Sequence, residues 1–482
     1  MGPYNAWMRG ILILMLWAGI LLAPAVAQVR DPGVRTAATD GGPPVPLPGL
    51  IAVEQQFFQD GLNRFTTLEV VSGATTTQGV SQGNGLGPRF NSNSCVSCHA
   101  QPYVGGSSPV ANPLYSVVNA EGAANQMPWF EAEKGPVREA RFKQTGGVPD
   151  GGVHNLFVVS GRTDVSTSCN ITQPVFTPAG NPLTGQGGNS NVIFRIPTPT
   201  LGAGLIEAIP DSAILANQQA NAGPKRQFGV SGHANSIQGG NVNLAATANR
   251  SANDGTITRF GWKAQNKSLL MFAGEAYNVE MGISNQLFPQ ERDETPACQG
   301  GATPNDTSNF PNPAIPYTAN SVLSDIEAFA DFMRMLAPPQ PATPTPSTQH
   351  GSGVFASVGC ALCHTPALNT GTAISTGSYL SPSAALTNQR VALFSDLLVH
   401  HMGAGLADGI TQGAAGPDEF RTAPLWGVGQ RVYFLHDGRT SNLLQAIADH
   451  ASPGSEANQV VQGFFALSAQ DQQDLINFLR SL

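Results

Sequence analysis

Two stretches, Cys95-Val96-Ser97-Cys98-His99 and Cys360-Ala361-Leu362-Cys363-His364, decide how this chain is read. Cys-x-x-Cys-His is the covalent attachment pattern of c-type haem. The two thiols add to the haem vinyl groups as thioethers, and the adjacent His becomes the proximal ligand of the iron. Two such motifs, far apart in the chain, imply two haems in two separate pockets, and hence redox chemistry. Zinc wants four converging ligands and does not need a His directly after the second Cys, twice. A thioredoxin-like dithiol needs a βαβ context that neither segment has.

The N-terminus fits that chemistry. Arg9 is the only charge before an apolar run from Ile11 to Ala23, and Ala25-Val26-Ala27 offers an A-x-A cleavage site before Gln28. Residues 1–27 therefore read as a signal peptide, with an uncleaved anchor as the other reading. The mature chain is expected to be periplasmic or secreted, with no membrane span after processing, because no second apolar run is long enough to cross. Four of the six cysteines belong to the haem motifs. In an oxidising compartment the remaining two, Cys169 and Cys298, most simply form a disulfide, the other reading being two buried free thiols.

Charged residues make up only 12% of the chain, while Gly (54) and Pro (37) abound, so a simple helix bundle is excluded. A formal charge of −8 argues against nucleic-acid binding. Residues 28–48 read as a mobile or draped leader, and Val71 to Pro88 and Ala220 to Asp254 read as loops. Gly79 to Gly83 matches G-x-S-x-G, but no apolar strand precedes it. Leu156 to Val159 and Val192 to Ile196 look like short strands. Ser324 to Glu327 is a capping box, followed by Ile326, Phe329, Met333 and Leu336 at helical spacing. Residues 337–350 (APPQPATPTPSTQH) read as a Pro-rich linker. It divides a 28–336 N-terminal haem domain with insertions from a 351–482 cytochrome c domain. The latter opens with a helix bearing Val354, Phe355 and Val358 and closes with one capped by Ser468. The expected fold is mainly α: two cytochrome-c-like haem domains, the first enlarged by long loops and short β-strands.

The second iron needs a sixth ligand or an open site. Candidates are His400, His401, Met402, His436 and His450. His450 shares the face of a helix with Leu443, Ala446 and Ile447, which favours it; Met402 is the thioether candidate.

Further segments appear in a recognisable order: RFNSNSCVSCH (89–99), TRFGWKA (258–264), VEMG (279–282), Pro338-Pro339, GCALCHTP (359–366), HMGAGLADG (401–409), FRTAPLWG (420–427) and LHDGR (435–439). Together they resemble the di-haem oxidoreductase family of peroxidase-like proteins. That family is related to the bacterial dihaem cytochrome c peroxidases and the methylamine dehydrogenase maturation enzyme. The resemblance implies that the sixth ligand lies on the helix after the His-Asp-Gly motif, again His450. It implies that Glu280 is the distal acid of a peroxidatic pocket. A Gln expected about ten residues earlier is replaced by Leu270, with Glu275 a weak substitute. A calcium ligand of the relatives falls at Arg431, so calcium is uncertain. Trp262 and Trp426 are the candidates for an electron-relaying Trp, a core aromatic being the commoner reading; His154 and His233 are candidates to close the first haem in a resting state, but each reads first as an ordinary loop His. The implied activity is reduction of hydrogen peroxide at the N-terminal haem (His99), with electrons passing through the C-terminal haem (His364, His450) from a small redox protein. The alternatives are oxidation of an organic or protein substrate by an oxygenase-like enzyme, and a non-catalytic electron carrier.

Overall fold

The computed structural model describes residues 28–35, 44–71, 73–75, 85–120, 124–162, 165–176, 191–238, 254–299, 303–307, 323–371 and 383–482. The stretch read as a signal peptide and the G-x-S-x-G segment lie outside the described residues. The longest described elements are helices, and the strands are two to five residues long. No helix among the described residues is long and apolar enough to cross a membrane.

The first motif sits against three helices: α1 (Ala52–Phe65), α2 (Leu269–Met281) and α3 (Asp325–Met335). Ser324 caps α3 in a box with Glu327, as its sequence predicts. Helices α1 and α3 approach closely because Gly61 has no side chain: a Cβ there would lie 2.3 Å from the Ala328 carbonyl oxygen. Phe58 and Phe65 pack on Phe332 with ring centroids 5.4 and 4.9 Å away, and Phe65 meets the His99 ring at 6.1 Å. Tyr277 on α2 packs edge-on against Phe329 (5.0 Å) and donates to Asp325 (2.9 Å). Gly282 ends α2 in the left-handed region (φ 70°) and touches Gly87, whose own Cβ would lie 2.0 Å from the Gly282 oxygen. A three-stranded antiparallel sheet flanks this group: β1 (Glu139–Phe142) lies between β2 (Val153–His154) and β3 (Val192–Arg195), with Glu139 opposite Arg195.

The second motif follows α4 (Pro346–Val358). This helix begins inside the segment read as a linker, with Pro346 at a first-turn position where its missing N–H costs nothing. Helix α4 crosses α6 (Ala469–Ser481), with α5 (Leu443–Asp449) beside them. Again a glycine permits the crossing: a Cβ on Gly351 would lie 1.9 Å from the Asp474 oxygen. Phe355 packs on Phe478 (5.5 Å). Two main apolar clusters result, one around each motif. Leu368 and Leu386 to Leu398 contribute to the first cluster although they follow the Pro-rich segment.

Two segments read as irregular carry order. The leader is anchored where Asp31 accepts from Arg480 Nε and Nη2, each at 2.7 Å, and the Arg35 backbone N–H donates to the Gly429 carbonyl. The stretch read as loop from Ala220 contains a helix, Ala222–Phe228, and a strand, Asn235–Gln238. The helix is held because buried Lys225 donates through Nζ to the carbonyls of Asn217 (2.7 Å) and Gln218 (3.1 Å) at the end of the preceding helix. Composition alone does not reveal that bond.

Candidate functional site: two histidine cavities joined by a tryptophan

Cys95, Cys98 and His99 line one cavity; Cys360, Cys363 and His364 line another. The two cysteine pairs therefore do not converge, which removes a shared zinc site. Burial pushes the Cys95, Cys98 and Cys360 thiols up, the last two to about 12. Cys169 and Cys298 are joined in a disulfide.

The histidines suit haem iron. His99 Nδ1 bonds the Gly106 carbonyl (3.0 Å), His364 Nδ1 that of Phe394 (3.0 Å), and His450 Nδ1 that of Ala446 (2.6 Å). Each bond fixes the tautomer with the lone pair on Nε2, the atom that iron takes. Burial holds all three below the ordinary imidazole value, His364 at about 4, so they are neutral donors. His364 and His450 line one cavity, and after burial it is the nearness of His450 that holds His364 down. The other candidates fare differently. His400 is engaged at both nitrogens, by Glu456 (2.8 Å) and Asp396 (3.0 Å). His401 is half exposed, paired with Asp418 (3.0 Å), and does not line the cavity. His436 stacks on Phe420 at 4.2 Å, and Met402 lines the same cavity.

In the first cavity, among the described residues, His99 is the only histidine. His154 stacks on Phe142 (3.8 Å) and His233 pairs with Glu419 (2.8 Å), so neither closes this site. Glu280, in the last turn of α2, lines the cavity and accepts from Asn91 Nδ2 (2.7 Å). It is also hydrogen-bonded to Glu139 on β1, whose partner Arg141 lies two residues on and so on the same face, 2.5 Å away. Burial, and then the Glu139 charge, push Glu280 up to about 8. Burial also acts to raise Glu139, but Arg141 outweighs it and holds that carboxyl below its ordinary value. At neutral pH the pair thus holds one proton, on Glu280. Glu275, the weak substitute, is outside the cavity, bonded by Asn266; Gln265 lines it instead. Neither Glu139 nor Gln265 was expected, because β1 belongs to the stretch without motifs and Gln265 lies five residues from the position expected to hold Gln.

A smaller cavity, sharing Gly261 and Phe272 with the first and Arg421 and Arg431 with the second, lies between the two. Among the described residues, Trp262 alone lines all three. Its Nε1–H donates to the Ile196 carbonyl (2.8 Å), which fixes the ring. Trp426 lines only the middle cavity.

Residues 186–482 match the family described as "Di-haem oxidoreductase, putative peroxidase". No curated protein matches the chain. Among solved structures, it is similar to a MauG-like protein associated with microbial copper homeostasis (17% identity, 46% of this chain and 68% of that one, TM-score 0.23). It is also similar to the diheme peroxidase BthA from Burkholderia thailandensis E264 (17%, 59% and 86%, TM-score 0.29). A third likeness is to hydrazine synthase of Kuenenia stuttgartiensis (17%, 65% and 98%, TM-score 0.27). Likenesses this loose carry no residue-level inference, but the family match covers more than half of the sequence. The chain is accordingly a member of the di-haem oxidoreductase family, an enzyme that takes two haems.

Proposed function

We propose that the chain is an exported di-haem peroxidase that reduces hydrogen peroxide in the first cavity and draws electrons through the second. The observation that carries this reading is an asymmetry. In the second cavity two neutral histidines, His364 and His450, have Nδ1 tied to a carbonyl and Nε2 left for a metal, while His436 stacks on Phe420 and His400 is engaged at both nitrogens; the first cavity, among the described residues, offers His99 alone and faces a protonated Glu280. His99 and the His364–His450 pair would hold the irons, with Cys95, Cys98, Cys360 and Cys363 forming the thioether links. The haems supply the redox equivalents; the protein's own part is to position peroxide and manage its protons. Glu280 is placed to give its proton to the departing peroxide oxygen, while Glu139 and Arg141 keep the negative charge of the pair in place. Trp262 supports passage of electrons between cavities.

The remaining features are read alongside. The units 28–336 and 351–482 act as two haem domains, and a small redox protein in the periplasm is the electron donor. A calcium ion between the haems is disfavoured because a buried guanidinium, Arg431, stands at that position. The test is an optical titration of the haem-loaded, half-reduced protein with stoichiometric peroxide. Removal of two electrons per peroxide, with rapid spectral change at one haem, supports the proposal. An unchanged low-spin spectrum sinks it and favours a pure electron carrier.

A further inference from the structure

Arg431 and Arg421 line the second and middle cavities and are only 8% and 9% exposed. Neither forms an ion pair with a carboxylate among the described residues. Arg421 spends its donors on carbonyls, Nε on Gly261 (3.0 Å) and Nη1 on Thr422 (3.5 Å). Arg431 is worse provided: its Nε and Nη2 are buried and have no hydrogen-bond partner. The carboxylate that Arg421 feels, Asp396, is committed to His400 and to the Leu398 N–H. A guanidinium stays charged even when buried, and an unpaired buried charge costs several kcal/mol, on the order of the stability of a domain. The site as built is one half of an ion pair.

The missing half is an anion of planar, two-oxygen geometry, which the fork of donors on Arg matches. The haem expected in the second cavity carries two such groups, its propionate side chains. We infer that Arg421 and Arg431 are the binding site for carboxylates of the haem held by His364 and His450. Arg431 also lies over the Trp262 ring, 5.7 Å from Cζ to centroid. A carboxylate on Arg431 therefore also tempers the positive charge felt by the residue common to both haem cavities. The same chemistry would accept a free carboxylate entering through the middle cavity, and the test separates the two sources.

The experiment measures the midpoint potential of the second haem, and the propionate bending band in its resonance Raman spectrum, in haem-loaded wild type, Arg431→Gln and Arg431→Lys. Neither readout requires peroxide turnover, so the result is independent of the peroxidase reading. Loss of a neighbouring cation should lower the potential and shift the propionate band in Arg431→Gln, with Arg431→Lys restoring most of the potential. Superimposable potentials and bands in all three proteins would overturn the inference. So would a wild-type potential that tracks added acetate and loses that response in Arg431→Gln, since the guanidiniums would then serve a free anion. If Arg431→Gln fails to mature with its haem attached, the wild-type band alone decides: a hydrogen-bonded propionate frequency supports the assignment and a solvent-exposed one overturns it.

Discussion

In the proposed reaction Glu280 and Glu139 divide a task that one carboxyl cannot perform alone. One holds a proton at neutral pH, and the other holds the charge that, together with burial, keeps it there. Replacing Glu280 by Gln keeps the shape and removes the transferable proton. Peroxide turnover should fall by about 10²–10⁴-fold, the usual worth of a placed acid; near-normal turnover would exclude the role. The pH profile tests the partner. Because the active form carries the proton, wild-type turnover should fall as pH rises through about 8. In Glu139→Gln the neighbouring charge is gone, so that alkaline limb should move to lower pH. It should stop short of the ordinary carboxylate range, because burial is the larger cause and remains. A limb that stays in place would show that the two carboxyls do not share a proton. The place of Glu280 in the wall of the first cavity was legible through the family resemblance of VEMG (279–282). Glu139 was not: it reaches the cavity only through the pairing of β1 with β3, a contact across more than fifty residues that no local pattern encodes.

Each haem cavity depends on one helix crossing, and each crossing on one glycine. Gly61→Ala would drive a methyl into the Ala328 carbonyl between α1 and α3, and Gly351→Ala into that of Asp474 between α4 and α6. Backbone cannot yield as a side-chain end does, so each substitution should cost ~1–3 kcal/mol. The effects should be local: thermal loss of the second haem's absorbance should come earlier in Gly351→Ala, and that of the first in Gly61→Ala. Equal thermal change in the absorbance of both haems in either variant would mean that the crossings do not support the cavities separately. The Cys169–Cys298 bond spans 129 residues and ties a loop to the segment after α2. Removing it as a double Ser variant should lower stability by about 2–5 kcal/mol, measured by denaturant unfolding with and without reductant; an unchanged midpoint would refute this. Crossing helices, capping box and leftover cysteine pair were all readable, since periodicity, caps and cysteine counting act within short windows or by parity. The helix Ala222–Phe228 was not, because its anchor is the aliphatic stem and ammonium of one buried Lys225 in a Gly- and Asn-rich stretch.

At the scale of the molecule, the two cavities communicate through a seam of buried polar and aromatic groups. Arg195 from β3 meets Asp408 at 2.6 Å, each side chain 1% exposed, and Arg421 N–H donates to the Trp262 carbonyl. Such buried pairs are costly to break, which makes a rigid mutual placement of the two halves the expected state. Sequence left two tryptophans as candidates for the link, because nothing in the spacing of Trp262 or Trp426 tells which cavity each ring faces. The structure separates them: Trp262 reaches both haem cavities, and Trp426 packs against Gly202 in the middle one. If Trp262 carries electrons, Trp262→Phe should leave both haems loaded and their resting spectra unchanged. The first haem should still react with peroxide. What should slow markedly is the appearance of oxidising equivalents at the second haem, followed by rapid mixing of fully reduced protein with one equivalent of peroxide. Trp426→Phe provides the control, with no change expected. Equal rates in all three proteins would mean that electrons cross by another route. A spectral change at rest in Trp262→Phe would mean that the ring, held by its bond to Ile196, serves to shape the cavities instead.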